Sequence, residues 1–345
     1  MHSAMKSETQ HVRRMQTIAV VGTGFIGSVH AKNATRHPGA KLLAVYDANL
    51  ESAERIAGAT GTQAVADVAE IFENPAIESV VIATPTNTHV EYLQRAAQAR
   101  KAIYCEKPIG LDYQEAEQAV SAVRAAGVPA MLGFNRRFDP NHAALREEVR
   151  RGDVGNLEII QMTTRGPSLA PLSYLATSGG QLRDQTVHFF DLLRWISADE
   201  PEEVYAVGAA LVDPKVAGVG DVDTSLVTIR LSRGTLCQID SSRRTAYGYD
   251  ERIEVFGSKG MIESRRQRAR GVSRYFGEKI IEDGLHPGWF ERIEQSYYQA
   301  LDVFFEAIAH GTPPSPSLED GLKAQLLADK ATESLKTGRP VKFTR

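Results

Sequence analysis

Apolar residues occur over the first 135 positions as short continuous runs, separated by segments with three- and four-residue periodicity. The runs are Thr17–Val21 (TIAVV), Lys41–Tyr46 (KLLAVY), Ser79–Ala83 (SVVIA), Ala102–Cys105 (AIYC) and Ala130–Phe134 (AMLGF). Between them, Leu50–Ala57, His89–Ala99 and Tyr113–Ala126 gather apolar residues on one helical face. A strand buried on both sides needs apolar side chains in both directions, so continuous runs predict a parallel sheet covered by helices. Their alternation with helices predicts a doubly wound α/β (Rossmann) domain over residues 17–135.

Beyond Asn135 the pattern changes. A helix at Asn141–Arg151 stops at Gly152, and longer strand-like runs follow: Leu157–Arg165, Val204–Val212, Ser225–Ser232, Gly234–Ser242 and Arg252–Phe256. Turns at Arg233-Gly234 and Ser258-Lys259-Gly260 separate neighbouring runs, which predicts a large, open, mainly antiparallel sheet. A helix at Asp184–Ile196 interrupts this series, and helices at Trp289–Ala309 and Leu318–Leu335 close the chain. Residues 136–345 therefore read as an α+β domain whose open sheet leaves one face for a partner to cover, with the last helix able to pack back on the first domain. Residues 1–16, polar and charged, read as a disordered tail.

Composition removes several classes of function. Forty Lys and Arg against forty-three Asp and Glu leave a net charge of −3, so no basic excess exists to bind a phosphate backbone, and nucleic acid is not an expected partner. No apolar run approaches the roughly 20 residues that span a bilayer, so no membrane association is expected. The first fourteen residues lack a signal-peptide apolar region. Two cysteines, Cys105 and Cys237, make no disulfide framework, and a reduced, cytoplasmic protein is the expectation.

Candidate chemistry begins at Gly22-Thr23-Gly24-Phe25-Ile26-Gly27, a G-x-G-x-x-G directly after the first strand. In such a loop the first glycine allows the tight turn, the second admits a pyrophosphate to the backbone, and the third lets helix pack on strand. Free N–H groups and the positive helix end then face the phosphates. Asp47 closes the second strand twenty residues after Gly27. There a carboxylate accepts hydrogen bonds from ribose hydroxyls and repels a 2′-phosphate, so NAD is expected over NADP; an Asx-turn or helix cap is the alternative role.

Two later loops also end strands: Thr84-Pro85-Thr86-Asn87-Thr88-His89 and Glu106-Lys107-Pro108. Ligands of open α/β sheets bind at the carboxyl ends of strands, so Lys107 is placed toward the nicotinamide, with a solvated surface lysine the alternative role. His89 is as compatible with helix-end structure as with chemistry. Further on, Asp184 and His188 stand i,i+4, and His188 and Asp191 stand i,i+3, which predicts all three on one helical face. A histidine between carboxylates suits a general base. A capping aspartate beside a structural histidine is the plainer alternative, and no metal is expected because further ligands are not evident at suitable spacing.

Taken together, these residues resemble the Gfo/Idh/MocA oxidoreductases, most of all their inositol 2-dehydrogenase branch, over nearly the whole chain. The resemblance rests on Gly22–Gly27 with His30, Ala83–His89 (ATPTNTH), Glu106-Lys107-Pro108 and Gly133–Asp139 (GFNRRFD). It continues through Gly179–Asp191 (GGQLRDQTVHFFD), Tyr247–Asp250 (YGYD) and the spacing of Trp289, Arg292 and Tyr297. It implies a catalytic group of Lys107, Asp184 and His188, and a second-domain sheet that builds a homo-oligomer, usually a tetramer, with a dimer the alternative. It further implies that Phe25, Ile26, Thr84, Pro85, Asn87, His89, Glu106 and Lys107 join Gly22, Gly24, Gly27 and Asp47 at the dinucleotide. Asn135, Arg136, Arg165, Asp191 and Tyr297 would then join the catalytic group at the substrate, with a surface or interdomain ion pair the alternative role for Arg136.

The implied reaction oxidises a ring hydroxyl of myo- or scyllo-inositol, or of a pyranose sugar, to a ketone, with hydride passing to NAD. In that reaction His188 takes the hydroxyl proton, Asp184 orients the imidazole and Lys107 stabilises the alkoxide. Thr164-Arg165-Gly166-Pro167 and Phe190 depart from residues usual in inositol dehydrogenases, which leaves the isomer open. Two other readings keep the scaffold: redox-neutral, NAD-dependent sugar or glycoside processing, and a non-catalytic NAD(H) sensor.

Overall fold

The computed structural model describes residues 15–343. The expected tail overlaps the fold at Gln16, the first residue of β1, and its residues 1–14 lie outside the described range. The first sheet holds β1 (Gln16–Val21), β2 (Ala40–Tyr46), β3 (Gln63–Val65), β4 (Ser79–Ile82), β5 (Ala102–Cys105) and β6 (Ala130–Leu132). All are parallel, in the order β3-β2-β1-β4-β5-β6. Crossovers run through α1 (Phe25–Arg36), α2 (Leu50–Thr60), α3 (Ala69–Glu73), α4 (His89–Gln98) and α5 (Tyr113–Ala126).

Every apolar run of this half is a strand, and each residue of β4 and β5 is buried, as their unbroken apolar sequence requires. The short β3, with one polar residue in three, escapes that pattern. Helix ends follow local chemistry. Asn49 and Asp112 accept bonds from Ser52 N and Glu115 N at the starts of α2 and α5, and Gly61 and Gly127 close the same helices in the left-handed conformation.

The second half contributes α6 (Pro140–Arg151), β7 (Leu157–Arg165), α7 (Leu172–Leu175), α8 (Gln181–Asp184), α9 (Val187–Ser197), β8 (Pro201–Ala209) and α10 (Lys215–Gly218). It continues with β9 (Thr224–Leu231), β10 (Leu236–Ser242), β11 (Asp250–Gly257), β12 (Gly260–Ser264) and a hairpin of β13 (Ser273–Phe276) and β14 (Lys279–Glu282). Helices α11 (Trp289–His310) and α12 (Leu318–Thr337) and the short β15 (Val341–Lys342) end it. The seven-stranded sheet has the order β12-β11-β7-β10-β9-β8-β15, and its pairs are antiparallel except β7 with β10.

The two halves share a core. One face of the first sheet is covered by α11, whose Ala300, Leu301, Phe304 and Phe305 pack on Ile18, Val20, Val81 and Tyr104. From the opposite face an apolar cluster runs through Leu322, Leu327 and Ala331 of α12 and Phe189 and Leu193 of α9 to Val227 and Ile239 of the second sheet. Each Val, Leu, Ile or Phe among them contributes about 1.5–3 kcal/mol on burial, so the relation between the halves is held by many of them. The other face of the second sheet carries a half-exposed apolar row, Met261, Phe256, Ile159 and Leu236, paired strand by strand.

Candidate active site

The order of the first sheet reverses at β1 and β4, and the loops after these strands open side by side into a cleft of about 1460 Å³. The three loop glycines answer three different needs. Gly22 has φ +96°, and a Cβ there would meet Ala83 O at 2.5 Å. A Cβ on Gly27 would run into Gly22 O, so this glycine lets α1 sit close against the loop that leaves β1. Gly24, by contrast, has nothing within 4 Å of an added Cβ and faces the cleft, which leaves its backbone open to a pyrophosphate. Asp47 also lines the cleft. Its Oδ2 accepts from Thr23 N at 2.7 Å and Thr23 Oγ1 at 3.1 Å, and its Oδ1 accepts from Asn49 N at 2.9 Å. These bonds fix the carboxylate and leave lone pairs for ribose hydroxyls.

Phe25, Ile26, Thr84, Pro85, Asn87, His89, Glu106 and Lys107 lie along the same cleft, with Gly22. Gly27 alone among the expected cofactor contacts does not; its place is behind the loop. His89 joins two strand-end loops, with Nδ1 2.7 Å from Pro108 O and Nε2 2.8 Å from Thr84 O. Glu106 is held by buried His30, whose Nε2 stands 2.7 Å from its Oε1. The Lys107–Pro108 peptide bond is cis.

Across the cleft the helix predicted over Asp184–Ile196 is broken. Helix α8 ends at Asp184 and α9 begins at Val187, so Asp184, His188 and Asp191 do not share one continuous helical face. The break is fastened to the second sheet. Gln185 Nε2 donates to Thr164 O and Ser242 O at 3.1 and 3.0 Å, and Thr186 Oγ1 pairs with Ser241 Oγ at 3.0 Å. The carbonyl of Asp184 accepts from Lys107 Nζ at 2.8 Å, and its Oδ1 lies 3.3 Å from the same ammonium. Arg243 and Tyr174 donate to the carboxylate at 3.1 and 2.9 Å. Burial alone would raise the Asp184 pKa, but Lys107, Arg243 and Tyr174 outweigh it and hold the group below the usual carboxylate range.

His188 lines the cleft beside this group. The expected Asp184–His188 orienting bond is replaced by the Asp184 contacts just described, and His188 Nδ1 is buried without a hydrogen-bond partner. The ring instead meets Phe134 edge-to-face, with centroids 6.0 Å apart. Burial, then Arg136 and Lys107, hold the His188 pKa well below 6.5, so the imidazole is neutral and able to take a proton.

Arg136 and Tyr297 are buried and line the same cleft. Arg136 donates to Glu251 at 3.1 Å, to Tyr249 Oη at 2.9 Å and to Asn135 Oδ1 at 3.0 Å. Three expected substrate contacts stand elsewhere. Asn135 lies behind Arg136 and donates to Ser296. Asp191 turns away from the cleft and holds Arg137 through both oxygens, at 2.8 and 2.5 Å, because that helix face packs on the 134–139 segment. Arg165, at the end of β7, binds Asp240 and Tyr247. Among the described residues no group of three or more His, Cys, Asp or Glu is arranged to hold a metal ion.

Residues 16–134 match the model of the Gfo/Idh/MocA oxidoreductases, described as an NAD-binding Rossmann fold, and residues 142–263 match the C-terminal domain of the same family. The chain belongs to the Gfo/Idh/MocA oxidoreductase family. NAD is the dinucleotide of this family's first domain, and the open backbone at Gly24 and the held Asp47 fit it. An inositol 2-dehydrogenase of Rhizobium meliloti is 39% identical over 322 residues, 93% of this chain and 97% of the relative. Among solved structures, a myo-inositol dehydrogenase of Corynebacterium glutamicum superposes with a TM-score of 0.91 at 38% identity, over 96% of this chain and 99% of that one. A scyllo-inositol dehydrogenase of Lactobacillus casei, solved with NAD(H) and scyllo-inositol, gives 0.89 at 26% identity, over 95% and 99% of the two chains.

Two residues of this Gfo/Idh/MocA site carry no local signal in the sequence. Tyr174 and Arg243 reach Asp184 from ten and fifty-nine residues away. Tyr249, which holds Arg136, does lie in the YGYD motif and could have been singled out there.

Proposed function

We propose that the protein is an NAD-dependent dehydrogenase of cyclic polyols, oxidising one ring hydroxyl of myo- or scyllo-inositol, or of a pyranose sugar, to a ketone. The observation that carries this reading is the meeting of Lys107 from the nucleotide half with Asp184 and His188 from the other half on one cleft. Bound NAD supplies the hydride acceptor at the carboxyl ends of the strands. A carbon bearing a hydroxyl gives up hydride readily only as the hydroxyl proton leaves, and this chain's residues manage that proton. With Nδ1 sealed, Nε2 is the His188 nitrogen that can take it.

Lys107 then donates to the developing alkoxide, a contribution of about 3–4 kcal/mol for a donor placed at such an oxygen. Asp184 holds that ammonium in place and balances its charge. Arg136 and Tyr297 supply hydrogen bonds for the remaining hydroxyls, and a polyol of the wrong configuration would leave these buried groups unpaired.

The reading includes a homo-oligomer, a tetramer, formed through the outer face of the second sheet, where Met261, Phe256, Ile159 and Leu236 make an apolar row. It also includes a cytoplasmic setting, with which two buried, unpaired cysteines agree. The test is to incubate purified protein with NAD and a panel of inositols and pyranoses, following reduced nicotinamide by absorbance. Net NADH with an inositol is the expected result, from a species sedimenting as four chains of 37.8 kDa. Product without net NADH would replace the dehydrogenase by redox-neutral processing, and a monomer would remove the tetramer.

A further inference from the structure

Between β7 and α8 the chain crosses the substrate end of the cleft, and Tyr174 is its contact with the reacting group. Tyr174 is 48% exposed and lines the cleft with Pro167, Ala170 and Pro171. Its hydroxyl donates to Asp184 Oδ1 at 2.9 Å. Lys107 Nζ stands 3.3 Å from the same oxygen, and Arg243 reaches Oδ2 at 3.1 Å while also lying 3.4 Å from Asp221. Three donors from three segments therefore converge on one carboxylate.

From this convergence we infer that Tyr174 is a positioning residue of the oxidation, whose hydroxyl fixes Asp184 and through it Lys107, while its ring walls the substrate. The inference rests on the dehydrogenase reading above. A carboxylate gripped only by two cations is free to trade oxygens between them; a directional third donor on Oδ1 fixes its plane. A phenol does this without adding charge. That matters because Arg136 and Lys107 already bear on His188, and another cation would weaken the base further. Burial and the neighbouring Asp184 push the Tyr174 phenol up, so it remains a donor throughout the working range. An aromatic face beside prolines and alanine also suits the C–H face of a ring polyol, whose hydroxyls point outward to the polar groups.

Two variants separate the hydroxyl from the ring. Tyr174→Phe keeps the ring and removes the donor; Tyr174→Ala removes both. With NAD saturating and an inositol deuterated at its ring carbons, Y174F is expected to lose about tenfold in kcat, the usual weight of a hydrogen bond to a charged group. Its deuterium effect on kcat should grow, because the hydride step becomes more fully rate-limiting, while KM for the polyol stays within about twofold of the parent. Y174A should lose the same in kcat and raise KM for the polyol about tenfold, which Phe restores. KM for NAD should be parental in both.

Parental kcat in Y174F overturns the inference. So does a loss of polyol binding, NAD binding and thermal stability together, which a merely structural tyrosine would give. A parent enzyme that reduces NAD with no cyclic polyol takes down the reaction and this inference with it; an active parent with unaffected variants takes down the inference alone.

Discussion

The two walls of the cleft differ in how their side chains are put in place. On the nucleotide wall each residue sits just past the end of a strand: Gly24 after β1, Asp47 after β2, Thr84 after β4 and Lys107 after β5. A strand end in a parallel sheet fixes where the next few residues go, so position along the chain translates directly into position in the cleft. On the opposite wall Asp184 stands at a helix break, and its neighbours arrive from 10, 59 and 77 residues away. There the spacing of residues along the chain says little about which of them meet. Asp191, three residues after His188, faces a buried arginine, and Tyr174, outside any helical spacing, faces the site.

The difference can be tested from its strongest expected effect downward. His188→Ala removes the proton acceptor and should lower kcat by about 10²–10⁴-fold. Because His188 belongs to the wall away from the dinucleotide, NAD affinity measured by fluorescence titration should be unchanged. A His188→Ala enzyme with parental kcat between pH 6 and 10 would sink the general-base role.

Next comes Asp191→Ala, the substitution that most directly separates helical spacing from observed packing. It leaves Arg137 buried with only Asp320, at 3.3 Å, for a carboxylate partner. Breaking a buried pair costs about 3–5 kcal/mol, and the remaining partner puts this one near 3. Denaturant unfolding should register that loss while KM for the polyol stays near the parental value. A large rise in KM with full stability would return Asp191 to the substrate.

The smallest effect belongs to the nucleotide wall. Asp47→Ser combined with Ala48→Arg exchanges a ribose acceptor for a phosphate partner. The ratio of kcat/KM for NADP to that for NAD should rise by about tenfold, equivalent to about 1.4 kcal/mol. An unchanged ratio would show that Asp47 serves its turn, through Thr23 and Asn49, and not the ribose.

Much of this molecule was legible in its sequence for a definite reason. Continuous apolar runs have no alternative to burial on both faces, so β1, β2, β4, β5 and β6 follow from Thr17–Val21 and its successors. The glycine loop follows directly on β1, where Gly22 takes a positive φ and Gly27 lies against the Gly22 carbonyl, and Asp47 and Lys107 are carried by the strands before them. The helix over Asp184–Ile196 was legible only in part, since its apolar residues do lie buried in α9.

Tertiary structure decided what happens at Gln185 and Thr186. An i,i+4 relation places two side chains together only while the helix between them is intact, and here the helix yields to bonds from β7 and β10. Those partners lie 21, 57 and 55 residues away in the chain, so no local spacing can announce them. The same distance hides Arg243 from Asp184, and it turns Asp191 toward Arg137 because a buried guanidinium demands a carboxylate there. The sequence by itself determined which strands form and which loops end them; long-range hydrogen bonds and buried charge determined which side chains face one another across the cleft.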